Sequence, residues 1–133
     1  MQAARQEWHR TDWKPPINVP DFFWSEDDSD ACAPTTWSIR QITRRNDLVN
    51  EGRELNHCVG SYVSDCMAGE SAIFSLKRHS GGLAKRCLTI EVSPEHECVV
   101  TALGRNNSRP TSQTRQLMNR WAKQNNLRIR RGV

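Results

Sequence analysis

The sequence predicts an α+β domain: a small antiparallel meander of three to four strands packed against a central helix pair and a basic C-terminal helix. Three observations carry that expectation. Residues 47–68 place apolar side chains at the helical period, three short apolar runs after residue 71 are separated by turn formers, and a second amphipathic stretch lies near the end of the chain. At 133 residues a single core is expected, too small to divide comfortably.

Taken in order, residues 1–34 read as an arm and 35–133 as the domain. Pro15, Pro16, Pro20 and Pro34 break regular structure in the arm, and an acidic run occupies Ser25 to Asp30. Trp8, Trp13, Phe22, Phe23 and Trp24 supply more apolar area than a solvated linker exposes, so the arm is expected to pack across its own domain or onto a protein partner. Trp37, Ile39 and Ile42 make Thr36 to Ile42 a short edge strand or an extended lead-in.

Leu48, Gly52, Leu55, Val59, Tyr62, Val63 and Cys66 then share one side of a helix spanning Asp47 to Ala68. Asn46 is a candidate cap at its start, and Gly69 can take the left-handed conformation that ends it. Gly52, Gly60 and a second candidate cap at Asn56 leave two helices with a bend near His57 as the alternative to one long helix. Three strands are expected at Ala72 to Lys77, Cys87 to Val92 and Cys98 to Leu103. The intervening His79-Ser80-Gly81-Gly82 and Ser93-Pro94-Glu95 suit antiparallel turns. A loop over Gly104 to Pro110 leads to a helix at Thr111 to Gln124, with Leu117, Met118, Trp121 and Ala122 as its apolar stripe. Leu127 to Arg131 is a further candidate strand.

Charge is distributed unevenly. The chain carries a net +4, yet residues 101–133 hold eight Arg or Lys and no acid, whereas the first hundred hold eleven basic and fifteen acidic side chains. A concentrated cationic region points to a polyanion such as DNA or RNA, because each neutralised phosphate releases counterions; a solvated basic tail is the alternative. No run reaches the ~18 apolar residues of a membrane helix, and MQAARQEWHR lacks the apolar stretch of a secretory signal, so a cytoplasmic location without membrane attachment is expected. Five cysteines, Cys32, Cys58, Cys66, Cys87 and Cys98, cannot all pair within one chain, which fits a reducing compartment. The one short ligand spacing, His96-Glu97-Cys98, falls short of a zinc motif, so no metal or other cofactor is expected.

The blocks LVNEGRELNHCVGSYVSDCMAGESAIFSL, CLTIEV, GRNN and LMNRWAK, in this order and spacing, resemble the PcfJ-like family over about residues 36–125. The resemblance implies a protein of conjugative plasmids, phages and related mobile genetic elements; it supplies context rather than a reaction. The chain departs from the family's usual pattern at Thr101, where Gln is common, and at Leu103, near which a basic residue is common.

Candidate chemistry falls in two groups. His57 and Cys58 are the residue types of nucleophilic catalysis, although neighbours on a helix point apart, so Cys58 needs a base elsewhere, such as His79 or His96. A bend at Asn56 places Cys58 in the first turn of a new helix, where a thiolate is favoured; the alternative is a core thiol with His57 ordering the junction. Glu91 alternates with Leu88, Ile90 and Val92 and shares Thr89's face of its strand, as the floor of a polar pocket with Ser75 and Thr101 or as a solvent-facing glutamate. The second group is the loop with Arg105, Asn106, Asn107 and Arg109, joined by Arg115, Arg120, Lys123, Arg128, Arg130 and Arg131 as nucleic-acid contacts. The function expected first is a nucleic-acid-associated accessory domain of a mobile element. The alternatives are a Cys/His enzyme acting on a nucleotide or protein, and an adaptor or inhibitor binding a partner through the aromatic arm.

Overall fold

The sheet begins inside the segment read as an arm. In a computed structural model, which describes residues 12–26 and 34–133, Phe22–Glu26 forms strand β1 and pairs antiparallel with β2, Thr35–Ile42. The reason is apolar: Phe22 is buried in the main core and Trp24 packs at its edge. Phe23, pointing the other way, is 62 % exposed. Trp8, Cys32 and the acidic residues Asp27, Asp28 and Asp30 lie outside the described residues.

After β2 the chain forms α1, Arg45–Leu55, a 3-10 turn at Val59–Tyr62, and the short α2, Val63–Met67. The helical stripe therefore belongs to two helices with a bend. Asn56 adopts φ 52°, and it closes α1 as a left-handed C-cap instead of opening a second helix. Arg44, not Asn46, stands at the N-cap, with no side-chain hydrogen bond there. Gly69, at φ 76°, releases the chain from α2.

Strand β3, Ala72–Ser80, turns through Gly81 and Gly82 into β4, Leu83–Ser93. Both glycines have positive φ, 58° and 79°, which suits a two-residue turn that matches strand twist. The hairpin is longer than expected because the turn is confined to these two residues. Strand β5 spans Cys98–Leu103, a second 3-10 turn covers Arg105–Asn107, α3 runs from Ser112 to Gln124, and β6 is Arg128–Ile129.

The six strands lie in sequence order in one sheet, antiparallel except for β5 and β6, which run parallel. This corrects the expected three- to four-stranded antiparallel meander: among the described residues the sheet is six-stranded and mixed and curls into a half-barrel with three helices, while the α+β class stands. Two causes are visible. The apolar face of β1 extends one edge, and α3 acts as the crossover that a parallel β5–β6 pair requires. Register shifts between Leu76 and Lys77 and between Glu91 and Val92 mark bulges, which bend strands and increase twist.

Both faces of the sheet are covered. Phe74 and Leu76 of β3 join the α3 residues Leu117, Met118, Trp121 and Ala122 in the larger core, where Phe74 meets Trp121 edge to face with centroids 4.8 Å apart. Ile73, on the opposite face, packs with Ile42, Leu48, Val59 and Cys66 beneath α1 and α2. Double-sided burial explains why β3 reads as a continuous apolar run.

Gly52 allows the bend to fold back on α1. A Cβ there would lie 3.0 Å from the His57 carbonyl oxygen and 3.3 Å from the Gly60 nitrogen, both rigid backbone. Glycine to alanine inside a helix ordinarily stabilises by roughly 1 kcal/mol. Here Gly52→Ala is expected to destabilise by about 1–3 kcal/mol through overpacking; urea unfolding reads the sign, and a stabilised variant would refute the close approach.

Candidate functional site

The break after α1 carries residues 57–62 across the sheet face that bears Thr89 and Glu91. The His57 N–H donates to the Gly52 carbonyl at 3.0 Å, and the Asn56 amide donates to Asn106 Oδ1 at 2.6 Å, tying the bend to the 3-10 turn after β5. Asn56, Asn106 and Asn107 all have left-handed φ, a conformation that asparagine tolerates better than most side chains.

Beneath the bend lies a buried carboxylate that sequence reasoning missed. Glu51 is fully buried and accepts from Ser75 Oγ at 2.7 Å, Arg86 Nη1 at 2.7 Å and Thr89 Oγ1 at 2.6 Å. Arg86 also reaches Asp47 at 2.9 Å and Glu54 at 2.8 Å. Burial works against the Arg86 charge, but hydrogen bonds to Glu51 and Asp47 outweigh it and hold its pKa above the ordinary arginine value. A signal was present in the sequence: Glu51 sits three residues after Leu48 and four before Leu55, inside the apolar stripe of α1.

The network determines the state of His57. Thr89 has one hydroxyl proton, and it goes to Glu51, so the 2.8 Å contact between His57 Nε2 and Thr89 Oγ1 requires Nε2 to be the donor. Nδ1 then accepts, and the Val59 N–H approaches it at 3.4 Å. Burial pushes the His57 pKa below its ordinary value, opposed by a backbone hydrogen bond and the Glu51 charge. Both ring nitrogens are thus engaged within the protein, Nε2 with Thr89 and Nδ1 with the Val59 N–H.

His57, Cys58, Ser61, Tyr62, Thr89, Glu91, Thr101 and Asn107 line one cleft of about 100 Å³, with Val59 and Leu103 as its apolar part. Glu91 stands on its floor, accepting from Ser71 Oγ at 2.9 Å and Thr101 Oγ1 at 3.1 Å. The bulge between Glu91 and Val92 sets Thr101 directly opposite Glu91. Glu91 has no cationic partner among the described residues. Its charge, before burial, raises the Tyr62 pKa and keeps that phenol a hydrogen-bond donor. Ser75, expected beside Glu91, instead binds Glu51.

Cys58 is exposed at the cleft, whereas Cys66 is buried and its pKa is pushed up to about 12 by burial and nearby acids. The bend does not put Cys58 at the head of a helix proper, because the segment after it is a single 3-10 turn. Neither expected base lines the cleft: His79 binds Ser38 Oγ at 2.8 Å, and His96 is exposed beside Glu95. Among the described residues no group of three His, Cys, Asp or Glu side chains is arranged to hold a metal ion.

The cationic residues divide. Asn107 lines the cleft, Arg105 a groove near Arg78 and Lys85, and Arg109 a hollow shared with Arg130 and Arg131. Asn106 is spent on Asn56. The Arg120 guanidinium stacks 4.0 Å from the Trp24 ring centre at the β1 edge, and Arg128 lies on β6 at the opposite edge. Arg115 donates to the Val133 carbonyl at 2.6 Å, and Lys123 is exposed in the last turn of α3. Trp121, by contrast, is wholly buried in the core.

Fold and site define a small α+β domain with a polar cleft where a broken helix meets a bulged sheet. The chain belongs to the PcfJ-like protein family, whose model matches residues 30–118. Comparison with curated proteins and with solved structures finds no match. Thr101 and Leu103 both line the cleft. No described helix is long and apolar enough to cross a membrane.

His57 is expected to titrate below its ordinary 6.5, with the proton of the neutral ring on Nε2. Between 6.5 and the lower folded value the unfolded chain binds a proton that the folded chain does not. The stability this contributes is therefore present above pH 6.5 and lost as pH falls through the folded value. Nitrogen-15 NMR reads both quantities; a Nδ1-protonated ring, or a midpoint at or above 6.5, overturns the assignment.

Proposed function

We propose that the cleft binds a small cationic or donor-rich group, with Glu91 as its anchor and Cys58 as the reactive side chain of an enzyme. The observation that carries this reading is convergence. Cys58, Tyr62, Thr89, Thr101 and Asn107, from separate stretches of chain, line one cleft with Glu91, a carboxylate without a cationic partner among the described residues. A half-buried carboxylate held only by two hydroxyls gains most from a ligand that brings N–H donors or positive charge. Tyr62 adds a phenolic donor, and Asn107 adds an amide. Among these side chains a thiol is the strongest nucleophile once ionised. His57 supports the wall, its tautomer held through Thr89 by Glu51.

Screening small amines, guanidines, amides, carboxylates and phosphates by NMR tests the charge preference. Amines or guanidines are expected to shift resonances of residues 57–62, 89–91 and 101–107, and Glu91→Gln to weaken them about tenfold or more, as for loss of a charge-assisted hydrogen bond. Binding of carboxylates or phosphates at these residues, or indifference to Glu91→Gln, would falsify this assignment. A fragment that binds is then elaborated with an electrophilic carbon, and loss of its covalent adduct in Cys58→Ser identifies the reactive thiol.

A second reading is a nucleic-acid-associated accessory domain of a mobile element, the setting that the family resemblance implies. It is favoured by one observation: none of the eight cations of residues 101–133 forms an ion pair with an Asp or Glu among the described residues. Binding to DNA or RNA is expected at low ionic strength and to fall steeply with salt. Replacing Arg105 and Arg109 together by Ala should flatten the logarithmic salt slope by about 2. Undetectable binding at low salt removes this reading.

A further inference from the structure

Cross-strand neighbours in the β3–β4 hairpin carry like charge twice in succession. Lys77 stands opposite Arg86, and Arg78 stands opposite Lys85. Directly opposed like charges destabilise a sheet. For Arg86 the carboxylates of Asp47, Glu51 and Glu54 answer the repulsion. Arg78 and Lys85 have no such relief, since neither forms an ion pair with an acid among the described residues. Arg78 is instead held with its guanidinium carbon 5.9 Å from the centre of the buried Trp37 ring, where the aromatic face attracts the cation without neutralising it.

These two cations open onto a groove with two more. Arg78, Lys85, Arg86 and Arg105 line a hollow of about 380 Å³ between the hairpin, the turn after β5 and the start of α3, and of the four only Arg86 is paired with acids among the described residues. Ser108 and Thr111 add hydroxyls to the wall, and no Asp or Glu is among the lining residues. Glu26 comes to the rim through a 2.6 Å hydrogen bond from Gln113. The groove is distinct from the Glu91 cleft in position and opposite in charge.

We propose that this groove binds a phosphoryl group, presented by the phosphodiester backbone of a nucleic acid. Two guanidinium forks and an ammonium along one groove suit the repeated negative charges of successive phosphodiesters, which a lone carboxylate does not supply. A ligand that supplies negative charge here also cancels the Arg78–Lys85 repulsion, so binding and hairpin stability are coupled. The inference rests on the nucleic-acid reading above, but moves its centre from the C-terminal third to a strand pair that composition did not single out.

The experiment is fluorescence anisotropy with a short single-stranded DNA at low ionic strength, with pyrophosphate as competitor. It compares the full chain with Arg78→Gln/Lys85→Gln, Lys85→Gln alone and Arg130→Gln/Arg131→Gln. The hairpin double variant is expected to lose about tenfold in affinity and to flatten the salt slope by about 2, and the single variant to flatten it by about 1. Pyrophosphate should displace the DNA and shift NMR signals of residues 78, 85 and 105. Melting at low salt separates binding from folding: Lys85→Gln removes a repulsion and is expected to melt at or above the parent temperature. If affinity falls only in Arg130→Gln/Arg131→Gln, the groove is wrong and the nucleic-acid reading stands. If the parent chain binds no DNA, both fall. A Lys85→Gln variant that melts well below the parent, or pyrophosphate shifts confined to other residues, also overturns the groove.

Discussion

A carboxylate without solvent access is tolerated only when its neighbours replace the water it has lost, and Glu51 obtains that replacement from β3 through Ser75 and from β4 through Arg86 and Thr89. The donors come from two neighbouring strands, so α1 can sit on the sheet in only one register without stranding the charge. Removing one partner from a buried ion pair costs roughly 3–5 kcal/mol, much of it from the charge left behind. Such a network is weak evidence for stability over an apolar alternative, but strong evidence for a unique arrangement. Its outermost member, Thr89, passes that constraint to His57 and hence to the wall of the cleft.

The cleft exists because three local irregularities coincide. Asn56 ends α1 in a left-handed conformation, Gly52 lets the following backbone return against the helix, and the bulge in β5 brings Thr101 opposite Glu91. The Asn56–Asn106 hydrogen bond ties the first of these to the turn after β5, across fifty positions of sequence. Polar groups are thereby split into two kinds: His57 and Thr89 are consumed by the protein, while Glu91, Tyr62, Cys58 and Asn107 face the opening. A cleft with one anion and a groove with three cations besides the paired Arg86 then give the molecule two regions of opposite preference.

Particular elements explain where sequence reasoning succeeded. Gly81-Gly82 and the stripe Leu117, Met118, Trp121, Ala122 signal themselves through backbone freedom and period, both local properties. Strand β1 was hidden because the arm's prolines and acids dominate its composition, although Phe22 and Trp24 alternate as a half-buried strand does. The parallel β6 was expected as a strand at most, since two residues carry no direction until α3 has returned them beside β5. His57, Cys58, Glu91 and Asn107 were legible as residue types, but not their division of labour. Arg78 and Lys85 were not legible as a pair, because their opposition is a matter of register.

By itself, the amino-acid sequence determined the α+β class, the β3–β4 turn, the faces of β4 and α3 and the concentration of positive charge, and it offered a helix break near Asn56 as one of two alternatives. These follow from side-chain period and backbone propensity within a few residues. Only the tertiary structure decided the six-stranded mixed sheet, the burial of Glu51, the proton position on His57 and the spread of arginines to both edges of the sheet. Each of those depends on which distant groups lose water together, and a hydrogen-bond partner is chosen by packing rather than by neighbourhood in the chain.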